Sequence, residues 1–123
     1  MSDMMKIERL NFGTTERPYS QAVRAGDFVY TSGASVGDAD DDVAVQTAKT
    51  IDYLANVLKQ AGTDLKHVVK ATVFMADLDE WGKFNEVWKS YFPTDKPVRT
   101  TTEVGKFGGH VRIEIDFVAV MPD

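Results

Sequence analysis

The sequence predicts an α+β sandwich, one mixed β-sheet with two helices packed on one face, and three observations predict it. Two stretches of helical period are separated by a β-branched run, a hairpin signal precedes both, and two more strand-like runs come after them. With 123 residues and 43% apolar content, the chain can bury one core and is too short for two ordinary domains, so residues 1–123 are read as one domain.

Taken in order, MKIERLNF alternates Ile7, Arg9 and Asn11 against Glu8, Leu10 and Phe12, an edge-strand pattern, and GTTERPYS then reads as a turn or loop. QAVRAGDFVYTSGAS holds two short β-prone runs around Ala25-Gly26-Asp27, a hairpin composition because Gly and Asp tolerate unusual backbone angles. The acidic run at residues 38–42 precedes a helical pattern and suits the positive end of its dipole; a solvated helix entry is favoured there over a metal site. From Val43 to Ala61, the residues Ala44, Ala48, Ile51, Ala55 and Leu58, joined by Leu54, recur at spacings of three and four, while Lys49, Asp52, Lys59 and Gln60 take the other side. Gly62 closes that helix. VVKATVFMAD is Val-rich and short, hence a largely buried strand, and Asp77 or Asp79 can cap the second helix. Residues 80–92 set Trp81, Phe84, Trp88 and Tyr91, with Phe92 beside them, on a stripe that Pro93 ends; such rings mostly serve packing. VRTTTEV and HVRIEIDFVAV are strands joined by a turn at residues 105–109, which completes the order β-β-β-α-β-α-β-β. Val29, Val73, Phe74 and alternate residues of the last strand offer more apolar sheet surface than two helices cover, so the uncovered face is expected to meet other subunits.

Composition narrows the chemistry. There is no cysteine, which removes disulfides, thiolate nucleophiles and Cys-ligated zinc and fits a reducing, cytoplasmic setting. The start lacks the apolar core of a signal peptide, and no run of apolar residues is long enough to span a bilayer. A net charge of −5 gives no basic footprint for nucleic-acid phosphates. Runs of the GxGxxG, GxxxxGK[ST] and HExxH types do not occur, a serine-hydrolase elbow is not expected, and His67 and His110 stand at strand entrances as surface or turn histidines. Ser32 and Gly33 end a strand, where backbone groups are free to meet a ligand. In the last strand Val111, Ile113, Ile115 and Phe117 share one face and leave Arg112, Glu114 and Asp116 on the other. If other subunits cover that face, Glu114 becomes a partly desolvated acid suited to general acid or base work. Arg99 opens the strand taken to neighbour it, and a planar guanidinium grips a small carboxylate bidentately. On the residues alone, Arg99 and Glu114 read equally as a site or as structural ion-pair members.

The ordered motifs RPYSQAVRAGDFVYTSG, an amphipathic helix ending in AG, VVKATVFMADL, FNEVWKSYF, PVRTTTEV and VRIEIDFVAV resemble the Rid family, also called YjgF or reactive intermediate deaminases, from about Tyr19 to Val120. The resemblance implies a chorismate-mutase-like fold and a homotrimer with sites in the clefts between subunits. It also implies cofactor-free, metal-free hydrolysis of enamines or imines of 2-amino acids to 2-keto acids and ammonia. It places carboxylate binding on Arg99, the acid near the attacking water on Glu114, the pocket tyrosine on Tyr19 and the strand-end serine on Ser32, and Asn85 matches the asparagine of its helix motif. The mechanism that follows has Thr101 shape the pocket with Tyr19, and backbone groups near Ser32 and Gly33 complete it. The chain departs from the family pattern at Ala34-Ser35-Val36, at Thr101 where a cysteine is usual, and at Phe107-Gly108-Gly109. Two other readings stand beside the enzyme: a non-catalytic module binding small carboxylates in the same clefts, and, more distantly, a ribonuclease or translation inhibitor.

Overall fold

The computed structural model describes residues 5–12 and 16–123; of the turn expected at residues 13–20, residues 13–15 lie outside the described residues. The elements follow the expected order: β1 Ile7–Leu10, β2 Ala22–Ala25, β3 Phe28–Thr31, α1 Val43–Ala61, β4 Val68–Met75, α2 Trp81–Tyr91, β5 Val98–Glu103 and β6 Ile113–Val120. Short 3-10 turns at Leu65–His67 and Leu78–Glu80 lead into β4 and α2. No helix among the described residues is long and apolar enough to cross a membrane.

Local chemistry sets the boundaries. Asp42 caps α1 by accepting the Val45 N–H, and Gly62, at φ +98°, ends it with its own N–H on the Leu58 and Lys59 carbonyls. The hairpin of β2 and β3 turns at Gly26, whose φ of +61° a side chain resists, and Ala25 pairs with Phe28 across it. Asp77 accepts the Asp79 N–H and starts the turn into α2, as expected.

The sheet runs β1-β2-β3-β6-β4-β5, antiparallel throughout except for β4 with β5. This corrects the expectation that the strand of Arg99 neighbours the last strand, because β4 lies between them. The cause is the β4–α2–β5 crossover, which returns the chain parallel to β4 and leaves β5 at the edge. Residues 104–112 then cross the end of β4, pinned by Val104 N–H on the Met75 carbonyl and Ala76 N–H on the Arg112 carbonyl.

Both helices cover the face carrying Val29, Ala71, Val73, Met75, Ile113, Ile115, Phe117 and Ala119, all buried. Trp88 and Phe92 meet Phe117 there, with ring centres 6.2 and 5.9 Å away, while Trp81 stays exposed. Of the residues expected to supply more apolar sheet surface than the helices cover, Val29 and Val73 lie inside; Ile7, Phe28, Tyr30 and Val98 are exposed on the opposite face. The buried stripe of α1 also differs from the expected one. Val43, Gln46, Thr47, Thr50, Ile51, Leu54, Val57 and Leu58 are buried, whereas Ala44, Ala48 and Ala55 flank it. Polar residues can occupy that stripe because each is satisfied: Thr47 Oγ1 donates to the Val43 carbonyl, Thr50 Oγ1 accepts the Val36 N–H, and the Gln46 amide bridges the Asp41 and His110 carbonyls and the Arg112 N–H.

Candidate functional site

The site begins where β3 leaves β6. After Tyr30 pairs with Val118, the next bridge is Ala34 with Ile115, so three residues of one strand stand against two of the other. Thr31 Oγ1 takes up the Phe117 N–H inside this gap. An extra residue of this kind lifts its strand and re-aims what lies beside it. Here it brings Gly33 against Glu114: a Cβ built on Gly33 would sit 2.6 Å from Glu114 Oε2 and 3.0 Å from Cδ. Gly33 is therefore a requirement of space, since its backbone does not lie in the left-handed region. Ser32 ties the same corner to the segment before β2, with its Oγ donating to the Ser20 carbonyl at 2.8 Å and its N–H to the Gln21 carbonyl.

A cavity of about 410 Å³ opens at this corner, lined by Tyr19, Ser32, Gly33 and Glu114 among the expected residues and by Arg17, Gln21 and Tyr53 among others. Gln21 Nε2 donates to the Tyr53 hydroxyl at 2.7 Å, fixing a polar back wall between the approach to β2 and α1. Tyr53 carried no signal as an isolated polar residue; Arg17 and Gln21 stood in the RPYSQ motif without an assigned role.

Arg99, Asn85 and Thr101 do not line this cavity. Arg99 and Thr101 pair with Ala71 and Val73 and so project from the helix-covered side of β5, whereas Glu114 pairs with Phe74 on the uncovered side. The Arg99 guanidinium lies 5.0 Å from the Phe84 ring centre, 5.1 Å from that of Trp88 and 6.0 Å from that of Trp81, and it donates to Asn85 Oδ1 at 2.8 Å. Burial lowers the Arg99 pKa from its ordinary value. None of the salt bridges among the described residues involves Arg99 or Glu114, so neither is a member of an ion pair within the single chain. A guanidinium has five N–H donors, and Asn85 takes one hydrogen bond. The nearby Thr101 hydroxyl is buried without a hydrogen-bond partner. One chain thus presents an acid in a polar cavity and, on the other face, a half-buried cation at the sheet edge without a counter-ion among the described residues.

Other candidates resolve simply. Asp116, on the Glu114 side of β6, has its pKa pushed up by burial, with Lys70 and Thr72 pulling it back. The acidic run at residues 38–42 caps α1 and pairs with Lys49, and no group of three or more metal-ligating side chains occurs among the described residues. His67 pairs with Asp64 at 2.7 Å, and His110 Nε2 lies 3.0 Å from the Gly37 carbonyl. Residues 33–37 do spell G-x-S-x-G, although no serine-hydrolase elbow was expected. They are nevertheless no nucleophile elbow, because Ser35 Oγ is committed to the Ile113 carbonyl at 2.8 Å and Ala34 bridges to β6 on both its N–H and its carbonyl.

Comparison with known proteins agrees with this architecture. Residues 11–121 match the family model described as Endoribonuclease L-PSP. The chain is 38% identical to the mouse 2-iminobutanoate/2-iminopropanoate deaminase over 128 aligned residues, covering 95% of each protein. It is 36% identical to a RutC family protein of Pyrococcus abyssi over 108 residues, 83% of this chain and 85% of that one. The crystal structure of a YjgF family member from Neisseria meningitidis shares the fold with a TM-score of 0.87 at 30% identity, covering 97% of this chain and 98% of that one. With the family model spanning nearly the whole sequence and relatives above 30% identity aligned over most of it, the chain belongs to the endoribonuclease L-PSP family, whose solved members include YjgF proteins.

Proposed function

We propose that the protein hydrolyses enamine or imine forms of 2-amino acids, of the 2-aminoacrylate or 2-iminopropionate type, to 2-keto acids and ammonia. The observation that carries this reading is the half-buried Arg99 guanidinium, which has spare donors and no acidic partner. It is a ready seat for a substrate carboxylate. An imine carbon is already electrophilic once its nitrogen is protonated, so the protein has to hold the acid, place a water and manage protons, and needs neither a metal nor an organic cofactor. Glu114 orients or deprotonates the water that adds to C2 and returns the proton to the departing ammonia. Tyr19 and the backbone at Ser32 and Gly33 frame the reacting group, Asn85 holds Arg99 in place, and Thr101 shapes the carboxylate end. The mouse relative's name supports the reaction class.

Because Arg99 and Glu114 leave opposite faces of the sheet, two copies must combine for one substrate to meet both. A homotrimer that lays the β5 edge of one subunit against the cavity of the next supplies that arrangement, and the exposed Phe28, Tyr30 and Val98 on the uncovered face favour assembly. The test is keto acid release, above the spontaneous rate, from freshly generated 2-iminopropionate or 2-iminobutanoate. Arg99→Ala and Glu114→Gln should each abolish most of it; an unchanged rate in Arg99→Ala removes that residue from the mechanism. Binding of small carboxylates without turnover in wild type marks a binding module instead. The family model's description raises a nuclease, which an acidic chain serves poorly; RNA binding that strengthens as salt falls would support it.

A further inference from the structure

Three depressions share Tyr19 as a wall. One holds Tyr19, Ser32, Gly33 and Glu114; another holds Asn11, Arg17, Pro18, Tyr19 and Ser20; the 410 Å³ cavity joins them. Glu114 and Arg17 therefore stand at opposite ends of one trough that passes Tyr19. In the single chain its volume of about 410 Å³ exceeds what a three-carbon acid fills, and the neighbouring subunit of the proposed trimer would take up part of that room. The lining mixes apolar Ala34, Val36 and Leu54 with polar groups, among them Gln21 hydrogen-bonded to Tyr53, and it carries one cation, Arg17. An alkyl side chain gives the Arg17 guanidinium no partner, whereas an anionic one pairs with it; the unpartnered Gln21 Oε1 is itself an acceptor and does not receive a carboxylate.

We infer that Arg17 is a specificity-determining residue that binds the distal carboxylate of the substrate, so that the preferred substrates are imines of 2-amino dicarboxylic acids with four or five carbons. The inference rests on the deaminase reading for where the reacting carbon sits, at the Glu114 end. Water adds to C2, the C–N bond breaks and ammonia leaves, while the distal carboxylate takes no part in the bond changes. Its ion pair with Arg17 fixes the length of substrate that reaches Glu114 in register. Arg17 is solvent-exposed, so the discrimination is modest, about fivefold, as for an ion pair at a cleft rim, and it weakens with salt.

The test compares 2-iminoglutarate with 2-iminobutanoate, each generated in the cuvette by an amino-acid oxidase from glutamate or 2-aminobutyrate. Wild type should show the higher kcat/KM on the dicarboxylate, the ratio should fall about fivefold in Arg17→Gln, and Arg17→Lys should recover part of it. A ratio that Arg17→Gln leaves unmoved overturns the inference. If neither imine is hydrolysed, it is the deaminase reading that fails. Arg17 is then judged by NMR titration with 2-oxoglutarate and 2-oxobutyrate: selective weakening of the dicarboxylate in Arg17→Gln upholds the inference, and equal affinities in both proteins overturn it.

Discussion

Replacing Gly33 with alanine should disable the site without unfolding the protein. The new Cβ would lie 2.6 Å from Glu114 Oε2, and ordinary contact begins near 3.4 Å, so the carboxylate has to retreat by about 0.8 Å. The atoms that must move belong to the end of a flexible side chain, and the shift costs about 1 kcal/mol of rotamer strain. Lost backbone freedom in the unfolded chain offsets part of that cost. The net change in stability is therefore within about 1 kcal/mol, a shift in Tm of about 5 °C or less. Catalysis is less forgiving, because a displacement of about 1 Å at the reacting centre costs on the order of 100-fold. The assay is kcat for 2-iminopropionate hydrolysis alongside a thermal melt, in Gly33→Ala, Glu114→Asp and the double variant. The shorter aspartate withdraws from the added methyl, so alanine should cost far less in the Asp background than in the Glu background. A Gly33→Ala enzyme that keeps kcat within about twofold of wild type would refute the argument that this close approach positions the acid.

Three further outcomes are expected. Mixing unfolded Arg99→Ala and Glu114→Gln chains and refolding them together should restore about a quarter of wild-type activity, since random assembly gives half the interfaces an intact arginine and half of those an intact acid; activity no greater than the sum of the separately refolded variants would place both residues in one subunit's site. Asp116 has a raised pKa, so it stabilises the fold fully only below its unfolded pKa, and that contribution is lost as pH rises through the folded value; Asp116→Asn should match wild type in acid and exceed it at neutral pH by up to about 1 kcal/mol, whereas urea melts showing the same difference at both pH values would contradict this. Tyr91 donates to Asp52 at 2.7 Å, and burial with that bond pushes its pKa up to about 12, so its stabilisation is present below pH 10 and lost as pH rises through 12; Tyr91→Phe should cost about 1 kcal/mol at neutral pH, and the ultraviolet titration of wild type minus variant should have its midpoint near 12 rather than 10.

Features set by local interactions could be read ahead of the structure. The bounds of α1 were legible because Asp42 and Gly62 act on their own neighbours, and the hairpin because Gly26 turns the chain between adjacent strands. Sheet order was not, since nothing near residues 98–103 reveals that β4 will insert between them and β6. The face of β5 was equally hidden: Thr100, Thr101 and Thr102 look alike, so no alternation shows which residues point toward the helices. The motif match named Tyr19, Ser32, Gly33 and Glu114, which line one cavity, and Arg99 and Asn85, which hydrogen-bond to each other. It could not show that the two groups leave opposite sides of the sheet. Gln46 escaped notice because its partners are backbone groups at Asp41, His110 and Arg112, two of them distant in sequence.

The placement of β6 bears on how the protein is made. It is the last of the six strands to emerge from the ribosome, yet it sits between β3 and β4. Until it arrives, the N-terminal meander and the β4–β5 pair are two separate ribbons with unsatisfied inner edges. Closing them into one sheet is a late, long-range event, the kind that slows folding and exposes nascent chains to aggregation. Chains stalled before residue 113 should therefore be strong clients for chaperones that shield unpaired strands.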